Sequence, residues 1–304
     1  MKAPITIAAL RLGVLLNRSS GSVDAATEVD VGAILAEAGI RPEAVVAIPG
    51  REVDTAIAEL TAKKLEALVV LGGDGTIRSA AEECSRTATL LIPLPGGTMN
   101  LLPHALYGEH GWRDILREII KAPAVVEVGA GEVENHRFFC AGIFGTPSHW
   151  AEAREALRES RISEAVRRAI RAWRRSFSGR LHYSFNLGDI REATAMAVIC
   201  PLISKVMPPD APAFEAAALC TPDLGEAFFL ALSGMFTDWR LAAQATSVAT
   251  RTVSIASKRR IPALLDGERV TLSRKAEIRF VPAAFKALVP HNSPMLTDGH
   301  EEVI

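Results

Sequence analysis

The chain has 304 residues, of which 49% are hydrophobic and 23% charged, and its formal net charge is −1. This length and apolar content support one large or two ordinary folded domains, and they exclude disordered, collagen-like and coiled-coil chains. Because the charge is nearly balanced, the chain has no overall electrostatic reason to bind nucleic acid, and no nucleic-acid partner is expected. The four cysteines form no CxxC pair, which favours reduced core thiols.

The first residues are expected to form a β-strand rather than a signal peptide. Arg11 interrupts the apolar run of residues 5–16, and no Ala-x-Ala cleavage site follows it. No apolar stretch reaches about 18 residues, so no membrane-spanning helix is expected.

Strands and helices alternate through the first third of the chain. The expected strands are 5–16, 44–48, 67–71 and 89–92, and the expected helices are 24–38, 53–64 and one that begins at Thr76. Short apolar strands that alternate with helices predict a parallel sheet covered on both faces. Ligands bind such sheets beyond the carboxyl ends of their strands.

After about residue 122 the pattern becomes rich in β-strands. The expected strands are 124–133, 137–144, 181–186, 193–200, 227–232, 253–256, 269–272 and 276–281. This pattern predicts a separate antiparallel sandwich or barrel with one helical insertion at 151–177. The predicted domains are therefore 1–123 and 124–290, followed by a polar tail at 291–304.

The strongest local motif is Gly72-Gly73-Asp74-Gly75-Thr76, which lies between a buried strand and a helix. Three glycines within four residues let the backbone approach a ligand and direct N–H groups at an anion, and the dipole of the following helix favours a phosphate there. The Asp74 carboxylate would repel phosphate unless it holds Mg²⁺, accepts a proton or orients a donor. The motif matches neither GxxxxGK[ST] nor GxGxxG, so a P-loop and a Rossmann dinucleotide site do not fit.

Two further polar turns follow strands and are expected at the same edge of the sheet. One runs from Asn17 through Ser20 and Gly21, and the other contains Gly97, Thr98 and Asn100. Each turn alone has an ordinary structural explanation. Three such turns at the ends of neighbouring strands favour a common binding site.

The two glycine motifs, about twenty residues apart, resemble those of the diacylglycerol kinase catalytic-domain family, which includes bacterial lipid kinases and the sphingosine and ceramide kinases. The turn at 17–21 resembles the family's first-strand turn, Leu265-Asp-Gly-Glu268 resembles its Asp-Gly-Glu catalytic motif, and residues 278–290 resemble its final strand. The resemblance thus extends over nearly the whole chain. It implies an N-terminal α/β domain like that of phosphofructokinase and NAD kinase, a C-terminal antiparallel β-sandwich, and an active site in the cleft between them.

The resemblance also implies roles for individual residues. The expected nucleotide-binding residues are Asn17, Ser20, Gly21, Gly72, Gly73, Asp74, Gly75, Thr76, Gly97, Thr98 and Asn100. Glu268, or alternatively Asp266, would accept the proton of a lipid hydroxyl, and Asp74 would take part in catalysis. ATP and Mg²⁺ are the expected cofactors, with Asp74 and Asp266 as candidate metal ligands. From the sequence alone, Asp266-Gly267 is equally well explained as a hairpin turn.

Several positions depart from the family pattern. Ser79 stands where the family commonly has Glu, Leu101–His104 replace an acidic or polar residue and Phe-Ala, and residues 221–226 keep only part of a structural metal motif. The leading hypothesis is an ATP-dependent kinase acting on diacylglycerol, ceramide or a related lipid. The alternatives are a small-molecule kinase like NAD kinase and a degenerate protein that binds nucleotide or lipid and regulates another process.

Residues 151–177 predict a basic amphipathic helix. Nine arginines lie within 151–180 against four glutamates, with apolar residues at roughly helical spacing. Such a helix either lies on an anionic bilayer or packs on the sandwich with its charges in water. The lipid substrate favours the first interpretation, so the protein is expected in the cytoplasm, peripherally at the inner face of the membrane, with a homodimer as one option.

Overall fold

The computed structural model describes residues 6–145, 180–219 and 247–297. These residues belong to two compact units, one comprising 1–130, 202–211 and 281–304, and the other 131–201 and 212–280. The predicted helix at 151–177, the predicted strand at 227–232 and the partial metal motif at 221–226 lie outside the described residues. The predicted domain boundary at residue 123 stays a prediction, because strand Pro123–Val133 runs from one unit into the other.

The first unit alternates strands and helices, as the sequence predicts. Its strands are β1 (Leu12–Asn17), β2 (Ala44–Ile48), β3 (Ala67–Gly72), β4 (Leu90–Pro95) and the beginning of β5 (Pro123–Val133). Its helices are α1 (Ala25–Glu37), α2 (Val53–Ala62), α3 (Asp74–Thr87), α4 (Leu101–Tyr107), α5 (Trp112–Lys121) and the short α6 (Pro294–Thr297).

The strands of the first unit form a parallel sheet in the order β2-β1-β3-β4. All residues of β1 and β3 are buried, which explains why these strands read as continuous apolar runs. The last strand of the chain, β16 (Lys275–Pro290), joins β4 in parallel through Ala287 and Leu91. The predicted parallel sheet is confirmed, and it places the carboxyl ends of β1 to β4 along one edge.

Local chemistry sets two boundaries differently from the prediction. Residues Ile7–Ala9 form a 3₁₀ turn, and the first strand begins only at Leu12, so the predicted long strand from residue 5 was wrong. Helix α3 begins at Asp74, two residues before the predicted start at Thr76. The cap of α1 is confirmed, since the Asp24 carboxylate accepts a hydrogen bond from the Thr27 amide and the Thr27 hydroxyl accepts one from the Asp24 amide.

The second unit consists mainly of antiparallel strands. They are the end of β5, then β6 (His136–Phe138), β7 (Ala141–Phe144), β8 (Leu181–Phe185), β9 (Arg191–Ala193), β10 (Ala195–Ile199), β11 (Phe214–Leu219), β12 (Ser247–Thr250), β13 (Thr252–Ala256), β14 (Ile261–Leu265), β15 (Glu268–Leu272) and the beginning of β16. One layer has the order β12-β11-β10-β7-β14-β15, and the other runs β16-β13-β8-β9. Buried side chains of both layers form one core cluster, with Phe144, Met196 and Phe214 from the first layer and Tyr183 and Val253 from the second.

Some elements of the second unit carry no clear sequence pattern. Strands β9, β11, β12 and β14 were not predicted, and 137–144 divides into two strands at Phe139-Cys140. Strand β11 is an almost continuous apolar run rich in alanine, a residue with low strand propensity, so its pairing with β10 decides its conformation.

Candidate active site

Three polar turns extend the carboxyl ends of strands in the parallel sheet of the first unit. The turn at 17–22 follows β1, the loop at 72–76 follows β3, and the loop at 95–100 follows β4. Since β1, β3 and β4 are adjacent and parallel, all three turns lie at one edge. The predicted convergence of these motifs is therefore confirmed.

Side chains of the first turn hold the two glycine loops. The Ser20 hydroxyl accepts a hydrogen bond from the Gly73 amide at 3.0 Å. The Asn17 side-chain amide donates to the Thr76 hydroxyl at 2.8 Å, and both side chains are buried. Ser22 donates through its hydroxyl to the Gly96 carbonyl at 2.9 Å. The Asn17–Thr76 contact is buried and therefore costly to break, and the other two contacts are partly buried.

Asp74 connects the two glycine loops. Its carboxylate accepts hydrogen bonds from the Leu101 amide at 2.7 Å and the Asn100 amide at 3.1 Å. These amides open helix α4, whose N-cap residue Asn100 has no side-chain cap of its own and a φ of 49°. The Asn100 side chain instead accepts from the Gly97 amide and donates to the Gly97 carbonyl. The Asp74 charge thus stabilises the start of α4, where helix dipole and free N–H groups favour an anion.

The glycines of these loops differ in how much space a Cβ atom would have. A Cβ on Gly97 would lie 2.6 Å from the Gly73 Cα, and one on Gly96 would lie 2.9 Å from the Gly72 amide nitrogen. The two loops are therefore in backbone contact, and no side chain fits between them. In contrast, a Cβ on Gly21 meets nothing within 4 Å, and one on Gly73 meets only the Gly97 Cα at 3.6 Å and the Ser20 hydroxyl at 3.9 Å. Open space therefore remains at Gly21.

We expect Gly97→Ala to lower both stability and activity, whereas Gly21→Ala should leave stability unchanged. The Gly97 substitution forces the loops apart, and overpacking of this kind typically costs about 1–3 kcal/mol. It should lower the melting temperature and the activity together. Gly21→Ala should leave the melting temperature unchanged and raise the KM for nucleotide if a ligand fills the open space. Thermal unfolding and steady-state kinetics of both variants measure this contrast, and equal melting temperatures would contradict the close approach of the loops.

The amino end of α3 lies at this edge of the sheet. The helix has 14 residues, and its N-cap Gly73 supplies no side-chain cap for the first N–H groups of the helix. A helix dipole and free N–H groups favour a phosphate group in general, and phosphate binding at this helix stays a prediction. Thr98, another predicted contact, is exposed beside this edge, and Gly75 lies in the first turn of the helix.

Sequence reasoning missed four residues of this network. Ser19 accepts a hydrogen bond from the Gly50 amide at 2.9 Å, which adds the end of β2 to the cluster. Ser22 and Gly96 are paired through both the amide and the hydroxyl of Ser22. A usable signal was present at Pro49-Gly50, because this dipeptide also follows a parallel strand.

The second unit contains the other predicted motif, at the hairpin of β14 and β15. Leu265 pairs with Glu268, so Asp266-Gly267 is a two-residue turn. Both turn residues have positive φ, 47° for Asp266 and 84° for Gly267, which is the type I′ pattern that Asp-Gly favours. The hairpin interpretation of this dipeptide is thereby confirmed.

The Asp266 carboxylate is buried and engaged by backbone amides. It accepts hydrogen bonds from Phe139 at 2.7 Å and from Cys140 and Ala141 at 2.9 Å each, and the Asp266 amide donates to the Ala141 carbonyl. Three donors stabilise the ionised form of a carboxylate strongly. Burial and then the nearby Asp266 charge raise the pKa of Cys200 well above its usual value, so this thiol stays protonated. The role of Asp266 that these contacts show is to fix the hairpin turn against the segment before β7.

Glu268 is the first residue of β15, directly after this turn, and it is exposed. The two carboxylates of the motif therefore differ in environment, although they are only two residues apart. Asp266 lies inside an amide network, whereas Glu268 is open to solvent. Of the two, Glu268 has the geometry of a group that can meet a substrate. The roles of Glu268 as base and of Asp266 as metal ligand stay predictions.

We expect Asp266→Asn to destabilise the second unit. Asn tolerates the positive φ of the turn, but its NH₂ group cannot accept a hydrogen bond from a backbone amide. Leaving such a buried donor unpaired costs about 1–3 kcal/mol, so the melting temperature should fall. If Asp266 acts through the turn, the accompanying loss of activity should persist at high Mg²⁺. Recovery of activity in a Mg²⁺ titration would instead support the predicted metal role.

No preformed metal cluster is present among residues 6–145, 180–219 and 247–297, since no three His, Cys, Asp or Glu side chains come together there. Magnesium in kinases is commonly bound by one or two carboxylates together with substrate phosphates, so such a cluster is not required. Each Asp74 oxygen accepts one amide hydrogen and retains capacity for another partner. Asp74 therefore fits a magnesium ion better than Asp266, whose oxygens accept three amide hydrogens.

Comparison with known proteins agrees with this arrangement. Residues 11–130 match the family described as the diacylglycerol kinase catalytic domain. Among solved structures, a diacylglycerol kinase from Bacillus anthracis str. Sterne has a TM-score of 0.68 at 18% identity, over 92% of this chain and 97% of its own. A candidate diacylglycerol kinase from the same organism has a TM-score of 0.70 at 18% identity over the same shares. No curated protein matches at a significant level. Residues 11–130 are therefore similar to the diacylglycerol kinase catalytic domain, and the chain has the mixed α/β and antiparallel β fold of these structures.

Proposed function

We propose that this protein is an ATP-dependent lipid kinase that transfers the γ-phosphate to a hydroxyl of diacylglycerol, ceramide or a related lipid. The observation that carries the proposal is the joining of the two glycine loops by Asp74 at the carboxyl edge of a parallel sheet, within the region that matches a kinase family. Binding modules do not need a carboxylate beside a phosphate site, whereas phosphoryl transfer does.

ATP is proposed to bind at this edge of the first unit. The phosphates would lie at the amino end of α3, close to Gly21 and Gly73, where little or no protein fills the space that a side chain would take. Thr98 and the neighbouring turns would contact the remainder of the nucleotide. A bound Mg²⁺ would neutralise phosphate charge, with Asp74 as its protein ligand.

The reaction requires a base for the attacking hydroxyl. We assign this role to Glu268, which accepts the hydroxyl proton while the lipid oxygen forms a bond to the γ-phosphorus. The bond from that phosphorus to the β-phosphate oxygen breaks, and ADP and the phosphorylated lipid leave. Asp266 holds the turn that presents Glu268.

Two other functions use the same residues. NAD kinases and phosphofructokinases share the Gly-Gly-Asp-Gly loop, and a degenerate family member would bind nucleotide or lipid without turnover. The intact Asp74 network and the exposed Glu268 favour an active kinase over a degenerate one.

Radiolabelled ATP, tested with a panel of lipids in mixed micelles and with NAD, separates the three functions. A phosphorylated lipid is the expected product. Phosphorylated NAD would identify a small-molecule kinase, and tight ATP binding without any product would identify a regulator. Either of these two outcomes overturns the proposal.

A lipid substrate requires contact with a membrane. None of the helices in the described part of the chain is long and apolar enough to cross a bilayer. We propose peripheral attachment at the inner face of the membrane, to which the basic segment 151–177, outside the described residues, would contribute.

A further inference from the structure

One end of the second unit carries five exposed basic residues on two neighbouring turns. Lys258, Arg259 and Arg260 lie between β13 and β14, and Arg274 and Lys275 lie where β15 passes into β16. The Ser257 amide donates to the Arg274 carbonyl at 2.8 Å, so the two turns are in direct contact. We call these five residues the basic end.

The charge of the basic end is not balanced by ion pairs. Within residues 6–145, 180–219 and 247–297, no carboxylate pairs with any of its five side chains. The carboxylates near it have other partners. Glu134 accepts from the Ser273 amide at 2.7 Å, Glu192 pairs with Arg180, and Glu277 pairs with Arg279. Five like charges on adjoining turns repel one another and are stabilised by an anionic partner.

We propose that the basic end binds the surface of an anionic bilayer. The choice of a bilayer rests on the proposed function, because the substrate of a lipid kinase lies in a membrane. The composition of the two turns also favours a bilayer over single-stranded nucleic acid, whose binding sites combine basic grooves with stacking aromatic rings. Neither turn contains an aromatic residue.

The position of the basic end allows membrane binding and catalysis to be separated. It lies at the opposite end of β14 and β15 from the Asp266-Gly267 turn. Five residues of strand span about 17 Å, so its side chains do not reach Glu268. Variants of the basic end should therefore keep the kcat for a short-chain substrate in solution.

The test is co-sedimentation with vesicles of phosphatidylcholine and phosphatidylglycerol that contain no substrate. Each basic residue near such a surface contributes about fivefold to partitioning, so the combined Lys258→Gln, Arg259→Gln and Arg260→Gln variant should bind about 100-fold more weakly. The remaining binding should weaken further as salt is raised. The control variant carries Arg41→Gln, Lys63→Gln and Lys121→Gln. These are exposed cations of the first unit without an ion pair among the described residues, and their loss should leave binding nearly unchanged.

Three outcomes would overturn the inference. Both triple variants could bind vesicles as the unmodified protein does. Alternatively, binding could be lost in Leu187→Ser/Ile190→Ser, which changes the exposed apolar tip at the other end of β8, while the basic-end variant still binds. In the third outcome, the basic end binds an oligonucleotide in preference to vesicles. Since the vesicles contain no substrate, a failure of the lipid-kinase assay leaves this result interpretable, and the reverse also holds.

Discussion

Glu268→Gln is expected to lower kcat by about 10²–10⁴, the range for loss of a positioned proton acceptor. Glu268 is exposed at the start of β15, so an isosteric amide should leave the melting temperature within the small range typical of surface substitutions. ATP affinity should stay unchanged, because the base would contact the lipid hydroxyl and not the nucleotide. Steady-state kinetics with saturating lipid and direct measurement of ATP binding check both parts.

Glu59→Gln is the control for this variant, since Glu59 is likewise an exposed glutamate and lies in α2, away from the hairpin. It should retain normal turnover. If Glu268→Gln keeps normal kcat while Asp266→Asn abolishes activity without loss of stability, the two roles are reversed. If both variants keep normal kcat, the lipid-kinase mechanism proposed for this hairpin is wrong.

Asp74→Asn is expected to lower activity by about 10²-fold or more, because it removes the charge that joins the two glycine loops. Asn retains a single acceptor, which can serve the Leu101 amide, while the Asn100 amide loses its partner. The lost hydrogen bond should cost about 1 kcal/mol, or about 2–4 °C in melting temperature. Kinetics and thermal unfolding of the same preparation separate the two effects.

The control for Asp74→Asn is Asp54→Asn, since Asp54 stands in the first turn of α2 as Asp74 stands in that of α3. Its substitution tests the loss of a carboxylate at a helix start away from the glycine loops, and activity should be retained. Near-normal turnover of a folded Asp74→Asn variant would reduce the Gly72–Thr76 loop to a structural turn.

Local sequence chemistry determined most of the first unit. The apolar runs at 44–48 and 67–71 predicted two strands, of which the second is fully buried, and Asp24 with Thr27 formed the capping box of α1. These elements depend on side-chain period and caps, which are properties of neighbouring residues. The convergence of the three polar turns followed as well, since parallel strands place their carboxyl ends at one edge.

In the second unit, the Asp266-Gly267 dipeptide predicts the local turn but not the contacts of the side chains around it. Its preference for a type I′ turn is local, and the hairpin was foreseeable from two residues. The different environments of Asp266 and Glu268 could not be predicted from the sequence, because the amides that bond to Asp266 belong to residues more than 120 positions earlier in the chain.

The sequence by itself therefore determined the parallel sheet, the convergence of the three polar turns at its carboxyl edge, and the similarity of residues 11–130 to the diacylglycerol kinase catalytic domain. Only the tertiary structure decided that Asp74 joins two loops, that Asp266 fixes a turn, and that Lys258–Arg260 and Arg274-Lys275 form one basic end. The physical reason is the same in each case. Hydrogen bonds and charge clusters between distant segments depend on strand register and chain packing, and neither propensity nor periodicity encodes them within a short window.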